Sequence, residues 1–338
     1  MMGRMQDISR ETANMRPRAL DSGPLAPDLS FVIPAYNEAE TIAETLTRVS
    51  RKARRLVLHS EIVVVDDGSS DETLELVTSG QWDLPVRLLR LSRNFGKEQA
   101  IMAGLRHATG KAVVILDADL QEPLRYVDTM LERYREGYEI VYAVRAHRDD
   151  ESWLKRRCTA AFYRFLNIGS EVSMPAGARD FRLMDRKVVD ALCALPERNR
   201  FMKGLYAWVG FRSLAIPVEL QPRGGGSSKF RFRGLLKLGM TGLTAFTDWP
   251  LRMWTGIGMI LAMLSILYGL FLASRTLLLG HAVPGWSTLA VAIFFFSGIQ
   301  LMSIGVLGEY LARVFSEVKG RPGYLIAEDV TIAASREC

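Results

Sequence analysis

The stretch VILDADLQEP, residues 114–123, decides the fold of this 338-residue chain. An apolar run at 112–116 ends in two carboxylates, Asp117 and Asp119, and then in the amide of Gln121. A strand inside a parallel sheet with helices on both faces reads as such a run, and ligands bind beyond the carboxyl ends of these strands. We therefore expect the two acids to lie in a binding crevice, where they are candidate ligands of a divalent metal ion.

Strands and helices alternate on both sides of this stretch. Apolar runs typical of strands occupy residues 29–34, 61–65, 86–91, 112–116 and 139–144. Segments with helical spacing separate them, at residues 39–53, 71–78, 96–108 and 123–134. Strict alternation of this kind predicts an α/β fold built on a mostly parallel sheet with helices on both faces.

The polar ends of two earlier strands belong to the same crevice. The first strand runs into PAYNE at 34–38, and the second runs into VDDGSSD at 65–71. Because the strands of a parallel sheet all point one way, these loops meet the acids of residues 117–119 at one sheet edge. Taken singly, each acid has a plainer explanation as a helix cap, and we expect Asp66 to cap its own loop.

The C-terminal part of the chain is apolar. No charged residue interrupts 253–274 or 286–308, and a helix of about 22 residues rises about 33 Å, enough to cross a bilayer core. Two such runs predict a two-helix transmembrane hairpin, with a pair of buried helices in a soluble core as the alternative. Basic residues flank the hairpin, which by the positive-inside rule places the large domain and both termini in the cytoplasm at the inner membrane. These residues are Arg252, Arg313, Lys319 and Arg321.

The remaining segments complete the domain plan. Residues 1–28 are polar and lack the apolar core of a signal peptide, so we expect a disordered cytoplasmic tail. The net charge of +6 comes with no nucleic-acid-binding motif, and basic residues beside membrane spans indicate anionic lipid as the partner. We expect a catalytic domain at 29–228, interfacial helices at 229–251, the hairpin within 252–308 and a cytoplasmic tail at 309–338.

The order and spacing of four motifs resemble family 2 glycosyltransferases of the GT-A fold. These motifs are FVIPAYNE at 31–38, VVVDDGSSDET at 63–73, LSRNFGKEQAIMAGL at 91–105 and ILDADLQEP at 115–123. In the second half, two motifs and the closing apolar helices are similar to the polyprenyl-phosphate glycosyltransferases, namely GARDFRLMDR at 177–186 and NRFMKGLYAWVGF at 199–211. That branch contains dolichol-phosphate mannose synthase and the bacterial bactoprenol (undecaprenyl-phosphate) glucosyltransferases, and the chain is most similar to the latter group.

The resemblance implies a site for a nucleoside diphosphate sugar and a metal cofactor. It implies that Mg²⁺ or Mn²⁺ is bound by Asp117, Asp119 and Gln121 beside the diphosphate. For Tyr36 the alternative to nucleotide contact is packing at the end of the strand. For Lys97 the alternative is a solvent-exposed position without a binding role. The side chains implied to contact the nucleotide are Pro34, Tyr36, Glu38, Asp67, Lys97 and Asp117.

Catalytic and acceptor-binding roles follow from the same resemblance. Asp180 matches the position of a catalytic base in relatives, with an orienting group or a helix cap as alternatives. A lipid phosphate has a second pKa near ~6, so its attacking oxygen is already mostly ionised at neutral pH and a strong base is unnecessary. Asp119 and Arg145 complete the predicted catalytic set. The residues expected to bind the acceptor phosphate are Arg182, Arg223, Ser228 and Lys229, of which we favour Arg223.

The loop at 223–229 departs from the family pattern. Relatives often read R-x-x-G-E-S-K in this loop, whereas this chain reads RGGGSSK. A hydroxyl therefore stands where relatives carry an acid, and a role assigned to that acid does not transfer to this chain.

The implied reaction is an inverting transfer of a hexose to undecaprenyl or polyprenyl phosphate, for modification of cell-envelope glycans. UDP-glucose is the favoured donor, and a GDP-mannose-dependent mannosyltransferase is the alternative. A processive polysaccharide synthase is disfavoured because the chain has no QxxRW motif. A non-catalytic nucleotide-binding membrane scaffold would not need the intact metal motif. The resemblance also favours a homo-oligomer, with a tetramer as the expected assembly, and no nucleic-acid partner.

Overall fold

The computed structural model describes residues 27–56, 59–119, 121–146, 177–198, 200–219, 249–279 and 285–334. Three expectations lie outside these ranges. They concern the tail before residue 27, the loop at 223–229 and most of the interfacial segment at 229–251.

The described residues form an eight-stranded sheet, with strand order β7-β5-β6-β4-β1-β2-β3-β8. Strand β6 is antiparallel to β4 and β5, and β8 is antiparallel to β3, whereas the other neighbours are parallel. The predicted α/β fold with a mostly parallel sheet is confirmed. The strands are β1 (Leu29–Ala35), β2 (Ser60–Asp66), β3 (Val86–Leu91), β4 (Ala112–Ile115), β5 (Ile140–Arg145), β6 (Ala178–Asp185), β7 (Ser213–Val218) and β8 (Ile326–Ile332).

Helices cover both faces of the sheet. Helices α1, α2 and α4 bury apolar side chains against one face, and α3, α5 and α6 do so against the other. The helices are α1 (Ile42–Arg55), α2 (Thr73–Ser79), α3 (Lys97–His107), α4 (Tyr126–Arg135), α5 (Arg186–Ala194), α6 (Met202–Trp208), α7 (Trp249–Leu279) and α8 (Trp286–Val318).

The burial of β1 explains why apolar runs predicted the strands so well. Successive side chains of a strand point to opposite faces, so Phe31 and Ile33 join one core cluster and Val32 joins the other. Each fully buried apolar side chain of this size stabilises the fold by about 1.5–3 kcal/mol. Helix α1 contributes the matching stripe at helical spacing, formed by Ile42, Leu46, Val49 and Ala53.

Strand β8 corrects the expected C-terminal tail. Residues 326–332 complete the sheet beside β3, where Arg87 donates to both carboxylate oxygens of Asp329 at 3.0 and 2.7 Å. Arg90 forms a second cross-strand ion pair with Glu328 at 2.8 Å. At the other end of the chain, Asp28 was assigned to the tail, but its N–H donates to the His59 carbonyl at 2.7 Å. The folded domain therefore includes residues from both predicted tails.

The two long apolar helices contact each other. Among the described residues, one helical segment, Val291–Val318 within α8, is long and apolar enough to cross a membrane by composition. The corresponding apolar part of α7 is shorter, at Gly258–Leu272. The described residues thus supply one membrane-length segment, and they do not establish the expected two-helix hairpin.

Candidate active site

Hydrogen bonds join the loops after β1 and β2 at the carboxyl edge of the sheet. The Asn37 N–H donates to Ser69 Oγ at 2.9 Å, and Asn37 Oδ1 accepts the Ser70 N–H at 2.8 Å. The Glu38 N–H donates to Thr73 Oγ1 at 2.9 Å. Asn37 adopts a φ of 53°, a left-handed conformation that asparagine tolerates better than most residues. These contacts bring two of the loops predicted to meet into one rim.

The adjacent acids Asp66 and Asp67 have different roles in that rim. Both carboxylate oxygens of Asp66 accept the Ser69 N–H, at 3.1 and 3.3 Å, so Asp66 caps its own loop as expected. Asp67 instead accepts the N–H groups of Phe95 and Gly96, at 2.7 and 2.9 Å. Burial raises the pKa of Asp67, and these two hydrogen bonds oppose that rise. Asp67 therefore fixes the β3–α3 loop directly before Lys97.

Glycine is required where these loops cross. Gly68 has a φ of +69°, and a Cβ at this position would lie 2.6 Å from the carbonyl carbon of Arg93. Gly96, which precedes α3, has a φ of +98°. Both values fall in the region that L side chains rarely adopt.

Lys97 lies between two acids from different strands. The register pairs Ile115 of β4 with Arg182 of β6, so Asp117 and Asp180 face each other just beyond the paired residues. The Lys97 ammonium contacts Asp117 Oδ1 at 2.6 Å and Asp180 Oδ2 at 2.8 Å. Its side chain remains 45% exposed, so Lys97 lines an open crevice, although the ammonium itself is enclosed by the two carboxylates. The resemblance implies nucleotide contact for Lys97 and Asp117 and a catalytic role for Asp180, and the structure brings all three together.

Three cations surround Asp180. Burial alone would raise the pKa of Asp180, but Lys97, Lys203 and Arg182 lower it far below its usual range. Burial opposes the charge on Lys97, but Asp117 and Asp180 outweigh that effect and raise the pKa of Lys97. Asp180 is therefore a stable carboxylate and a weak proton acceptor, which favours the orienting role over the base.

The predicted metal ligands lie on one short loop after β4. Asp119 Oδ1 accepts the Gln121 N–H at 3.2 Å, which holds the two side chains on one turn. Two carboxylates and an amide offer oxygen donors, which Mg²⁺ and Mn²⁺ prefer. Among the described residues, no group of three or more His, Cys, Asp or Glu side chains forms a metal-binding cluster. The donor set fits an ion that takes few protein ligands and completes its shell with phosphate and water.

Arg182 is not placed to bind the acceptor phosphate as we predicted. It is 2% exposed, and its guanidinium lies 3.4 Å from the centre of the Tyr206 ring. It also donates to the backbone carbonyls of Arg179 and Asp180, at 2.5 and 3.3 Å. Side chains at i and i+2 of a strand share a face, so Arg182 lies on the face of Asp180 but deeper in the sheet, under the crevice.

The other predicted residues take simpler positions. Pro34 pairs with Val65 inside the sheet, and Tyr36 is 38% exposed on the rim. Arg145 ends β5, which is antiparallel to β6 as β4 is, so Arg145 belongs to the same sheet edge as Asp117. The remaining predicted acceptor ligands, Arg223, Ser228 and Lys229, lie outside the described residues.

Glu98 is a site residue that sequence reasoning missed. It follows Lys97 on the first turn of α3, and its Oε2 accepts the Met202 N–H of α6 at 2.8 Å. Burial, and then the charge of Asp180, raise the pKa of Glu98 to about 7. Its position inside the GKEQA motif was visible, but a strand-and-helix pattern does not reveal which acid faces another acid.

The raised pKa of Glu98 predicts a pH-dependent stability. A carboxyl group with a raised native pKa stabilises the fold below its ordinary value of 4.5, and that contribution is lost as pH rises through about 7. Glu98→Gln stays neutral and retains the acceptor for Met202. The melting temperature of the variant minus that of the unsubstituted protein should therefore increase from pH 5 to pH 8. Exposed Glu75→Gln is the control, and a Glu98→Gln difference that is constant over this range would contradict the assignment.

Glu122 and Arg179 were also missed, although both stand inside quoted motifs. Arg179 Nε donates to Glu122 Oε1 at 3.2 Å, and Glu122 Oε2 accepts the Asp117 N–H at 3.3 Å. Burial raises the pKa of Glu122, while Arg179 opposes that rise. The proline after Glu122 indicates a turn but assigns no role to the acid. No sequence signal pairs Glu122 with a residue 57 positions away.

The fold and this crevice together define a class of protein. An α/β sheet of the GT-A type, with Asp117 after β4 facing Asp180 across Lys97, is the framework of a glycosyltransferase. The family model for glycosyl transferase family 2 matches residues 30–193. A prophage-derived bactoprenol glucosyl transferase of Shigella flexneri is 40% identical over 299 residues, covering 88% of this chain and 97% of the relative. The chain belongs to glycosyl transferase family 2.

Two further proteins show how far the similarity extends. A glycosyltransferase of Synechocystis, described as uncharacterized, is 44% identical over 302 residues, covering 89% of this chain and 95% of its own. A mannosyltransferase of Pyrobaculum calidifontis, solved with GDP-mannose and Mn²⁺, aligns with a TM-score of 0.42 at 18% identity. That alignment covers 93% of this chain and 94% of the solved one.

Proposed function

We propose that this protein is a membrane-bound inverting glycosyltransferase that transfers glucose from UDP-glucose to undecaprenyl phosphate or a similar polyprenyl phosphate. The product is a polyprenyl-phosphate sugar for modification of cell-envelope glycans. The names of the relatives at about 40% identity support a bactoprenol acceptor and a glucosyl group.

The observation that carries the proposal is the Lys97 bridge between Asp117 and Asp180, at 2.6 and 2.8 Å. Breaking a sugar–diphosphate bond leaves negative charge on the departing nucleoside diphosphate, and a preorganised cation stabilises such charge. Lys97 lines the open crevice, and its ammonium can contact the diphosphate. Asp180, on the opposite side of the same ammonium, then orients hydroxyl groups of the sugar.

A divalent metal fits the loop after β4. When bound there, Mg²⁺ or Mn²⁺ neutralises the charge that develops on the diphosphate. In this proposal Asp117, Asp119 and Gln121 hold the ion. The rim that carries Tyr36 and Glu38 accommodates the base and ribose, and the buried Asp67 holds the β3–α3 loop behind that rim.

The apolar helices support an acceptor that resides in a membrane. Large apolar side chains of α7 and α8 are mostly exposed, such as Leu270 at 60%, Leu301 at 70% and Val318 at 78%. Contiguous exposed apolar surface of this extent indicates contact with lipid or another protein. We propose that both helices span the inner membrane and that the catalytic domain and both termini are cytoplasmic. Basic residues at the helix ends fit this orientation.

Hydrogen bonds through Arg198 connect the end of α8 to α3, the helix that begins at Lys97. The Arg198 N–H donates to the two carboxylate oxygens of Glu317 at 3.2 and 3.1 Å, and Arg198 Nη1 donates to the Glu317 carbonyl at 2.9 Å. Gln99 Nε2 donates to the Arg198 carbonyl at 2.8 Å. Gln99 is two residues from Lys97, so these contacts support a crevice held close to the membrane surface, where a polyprenyl chain keeps its phosphate.

Lipid-product mass spectrometry tests the proposed function. Purified full-length protein is incubated with undecaprenyl phosphate, Mn²⁺ or Mg²⁺, and one of a panel of sugar nucleotides that includes UDP-glucose and GDP-mannose. We expect a hexosyl-phosphate lipid with UDP-glucose. Product with GDP-mannose alone would favour the mannosyltransferase alternative, and nucleotide binding without any lipid product would favour the non-catalytic scaffold.

Arg223→Ala tests the acceptor side. A charge-assisted hydrogen bond to phosphate contributes about 1.5–3 kcal/mol, so we expect the apparent KM for the lipid to rise roughly 10–100-fold. The KM for the sugar nucleotide should change little. Exposed Arg133 on α4, which pairs with Glu136 just after the helix, provides the control variant Arg133→Ala. A larger effect on the nucleotide KM than on the lipid KM would remove Arg223 from the acceptor site.

A further inference from the structure

A buried carboxylate lies behind the loop that carries the predicted metal ligands. The side chain of Glu122 is 2% exposed, and its two oxygens have separate partners. Oε2 accepts the Asp117 N–H at 3.3 Å, and Oε1 accepts Arg179 Nε at 3.2 Å. Arg179 Nη2 reaches further, to Gln121 Oε1 at 3.4 Å. The pair therefore contacts the first and last members of the ligand set at once.

Arg179 also determines which atom of the Gln121 amide faces it. A guanidinium has donors only, whereas an amide has an oxygen acceptor on one side and a nitrogen donor on the other. The Gln121 atom beside Arg179 is therefore the oxygen. Only that oxygen can bind a divalent cation, so a side chain without donors at position 179 would leave the amide free to turn over.

The backbone between these contacts is held by a third element. The Ala118 carbonyl, between the two acids, accepts Thr45 Oγ1 of α1 at 2.9 Å in a buried hydrogen bond. Helix α1 and strand β6 thus both hold the loop. Thr45 holds the centre of the loop and not its ends. Glu122 holds the backbone at Asp117 and Arg179 contacts the Gln121 amide, whereas Lys97 contacts the Asp117 carboxylate itself.

A contribution to folding stability is a weak explanation for the buried Glu122–Arg179 pair. Desolvating a charged pair is costly, and well-packed apolar residues often stabilise a fold as well or better. A pair that orients two ligands has a separate function, because groups behind a metal site set the geometry of the groups that bind the ion.

We infer that Glu122 and Arg179 are positioning residues that hold Asp117 and Gln121 in the orientation required to bind a divalent cation. This inference rests on the proposed function, since it assumes that these side chains bind the ion.

Mn²⁺ titration followed by electron paramagnetic resonance tests the inference. The full-length protein is titrated with Mn²⁺ in the presence of UDP, and its melting temperature is measured in parallel. The variants are Glu122→Gln, Arg179→Met and the double variant, with exposed Glu136→Gln as the control and Asp119→Asn as the ligand variant. Substituting groups behind metal ligands typically weakens metal binding by about 10–100-fold. We expect that loss in both single variants, with little further loss in the double variant, and none in Glu136→Gln.

The outcomes separate this inference from the proposed function. If Asp119→Asn loses Mn²⁺ but folded Glu122→Gln and double variants bind it as the unsubstituted protein does, the positioning role is wrong and the proposed metal site stands. A lower melting temperature with unchanged Mn²⁺ affinity would show a purely structural brace and would also overturn the inference. If Asp119→Asn binds Mn²⁺ normally, the proposed metal site and the inference both fail. Should Arg179→Met not fold, the double variant still decides, because it leaves no unpaired charge.

Discussion

Asp119→Asn is expected to lower kcat by about 10³-fold or more, which corresponds to about 4 kcal/mol of lost transition-state stabilisation. Asparagine retains an oxygen that can accept the hydrogen bond from the Gln121 N–H, which Asp119 accepts at 3.2 Å. The loop should therefore keep its shape. Under the proposed function, the variant loses the negative charge that holds a divalent cation beside the diphosphate. Transfer is measured with UDP-glucose and undecaprenyl phosphate at saturating Mn²⁺.

The matched control for this variant is Asp128→Asn. Asp128 lies on α4, is 49% exposed and pairs with Lys52, so its loss should leave kcat within about twofold, as for most surface substitutions. Melting temperature and membrane fractionation should be unchanged in both variants. Normal turnover by Asp119→Asn would refute the assignment of this carboxylate to the metal.

Asp180→Asn is expected to lower kcat by about 10²-fold, the loss that misplacement of a reacting group typically causes, without moving the pH dependence. Lys97 would keep only Asp117 as its partner and would leave the position between the two acids. Because neighbouring cations lower the pKa of Asp180, its carboxylate is ionised across the working range. The acid limb of kcat/KM should instead follow the acceptor phosphate, near pH ~6, in both proteins.

The rival role for Asp180 predicts a different profile. If Asp180 were the base, the variant would lose about 10⁴-fold, the upper end of the range for a lost catalytic proton acceptor, and its acid limb would be displaced or absent. The control is Asp190→Asn on α5, since that side chain is 65% exposed and pairs with Arg186. A displaced limb in Asp180→Asn, but not in Asp190→Asn, would restore the base assignment.

The strands that the sequence predicted correctly are those whose burial on both faces requires apolar residues at nearly every position. Strands β1 to β5 are apolar because helices cover both faces, and their predicted bounds agree with the structure within one residue at each end. Strands β6 and β8 mix charged with apolar residues, and β7 has several exposed positions. All three pair with strands that are distant in the sequence. A local pattern carries no information about such partners, so these strands were missed.

The same distinction applies to the crevice. Strand direction alone predicted that the loops after β1, β2 and β4 would share an edge, because parallel strands end together. It did not predict that Lys97 would lie between Asp117 and Asp180, since that contact depends on the antiparallel register of β6. Nor did it show that Arg182 lies beneath the crevice and Asp180 within it, because alternation assigns a face but not a depth.

The sheet also imposes an order on biosynthesis. Arg90 of β3 and its partner Glu328 of β8 are 238 positions apart, and both long apolar helices lie between them. At the usual rate of elongation, the ribosome needs between about ten and fifty seconds to make that length. Throughout that interval the outer edge of β3 has open hydrogen-bonding groups, and unpaired edges of this kind promote aggregation. Chains interrupted within or just after α8 should therefore be substrates for chaperones and proteases.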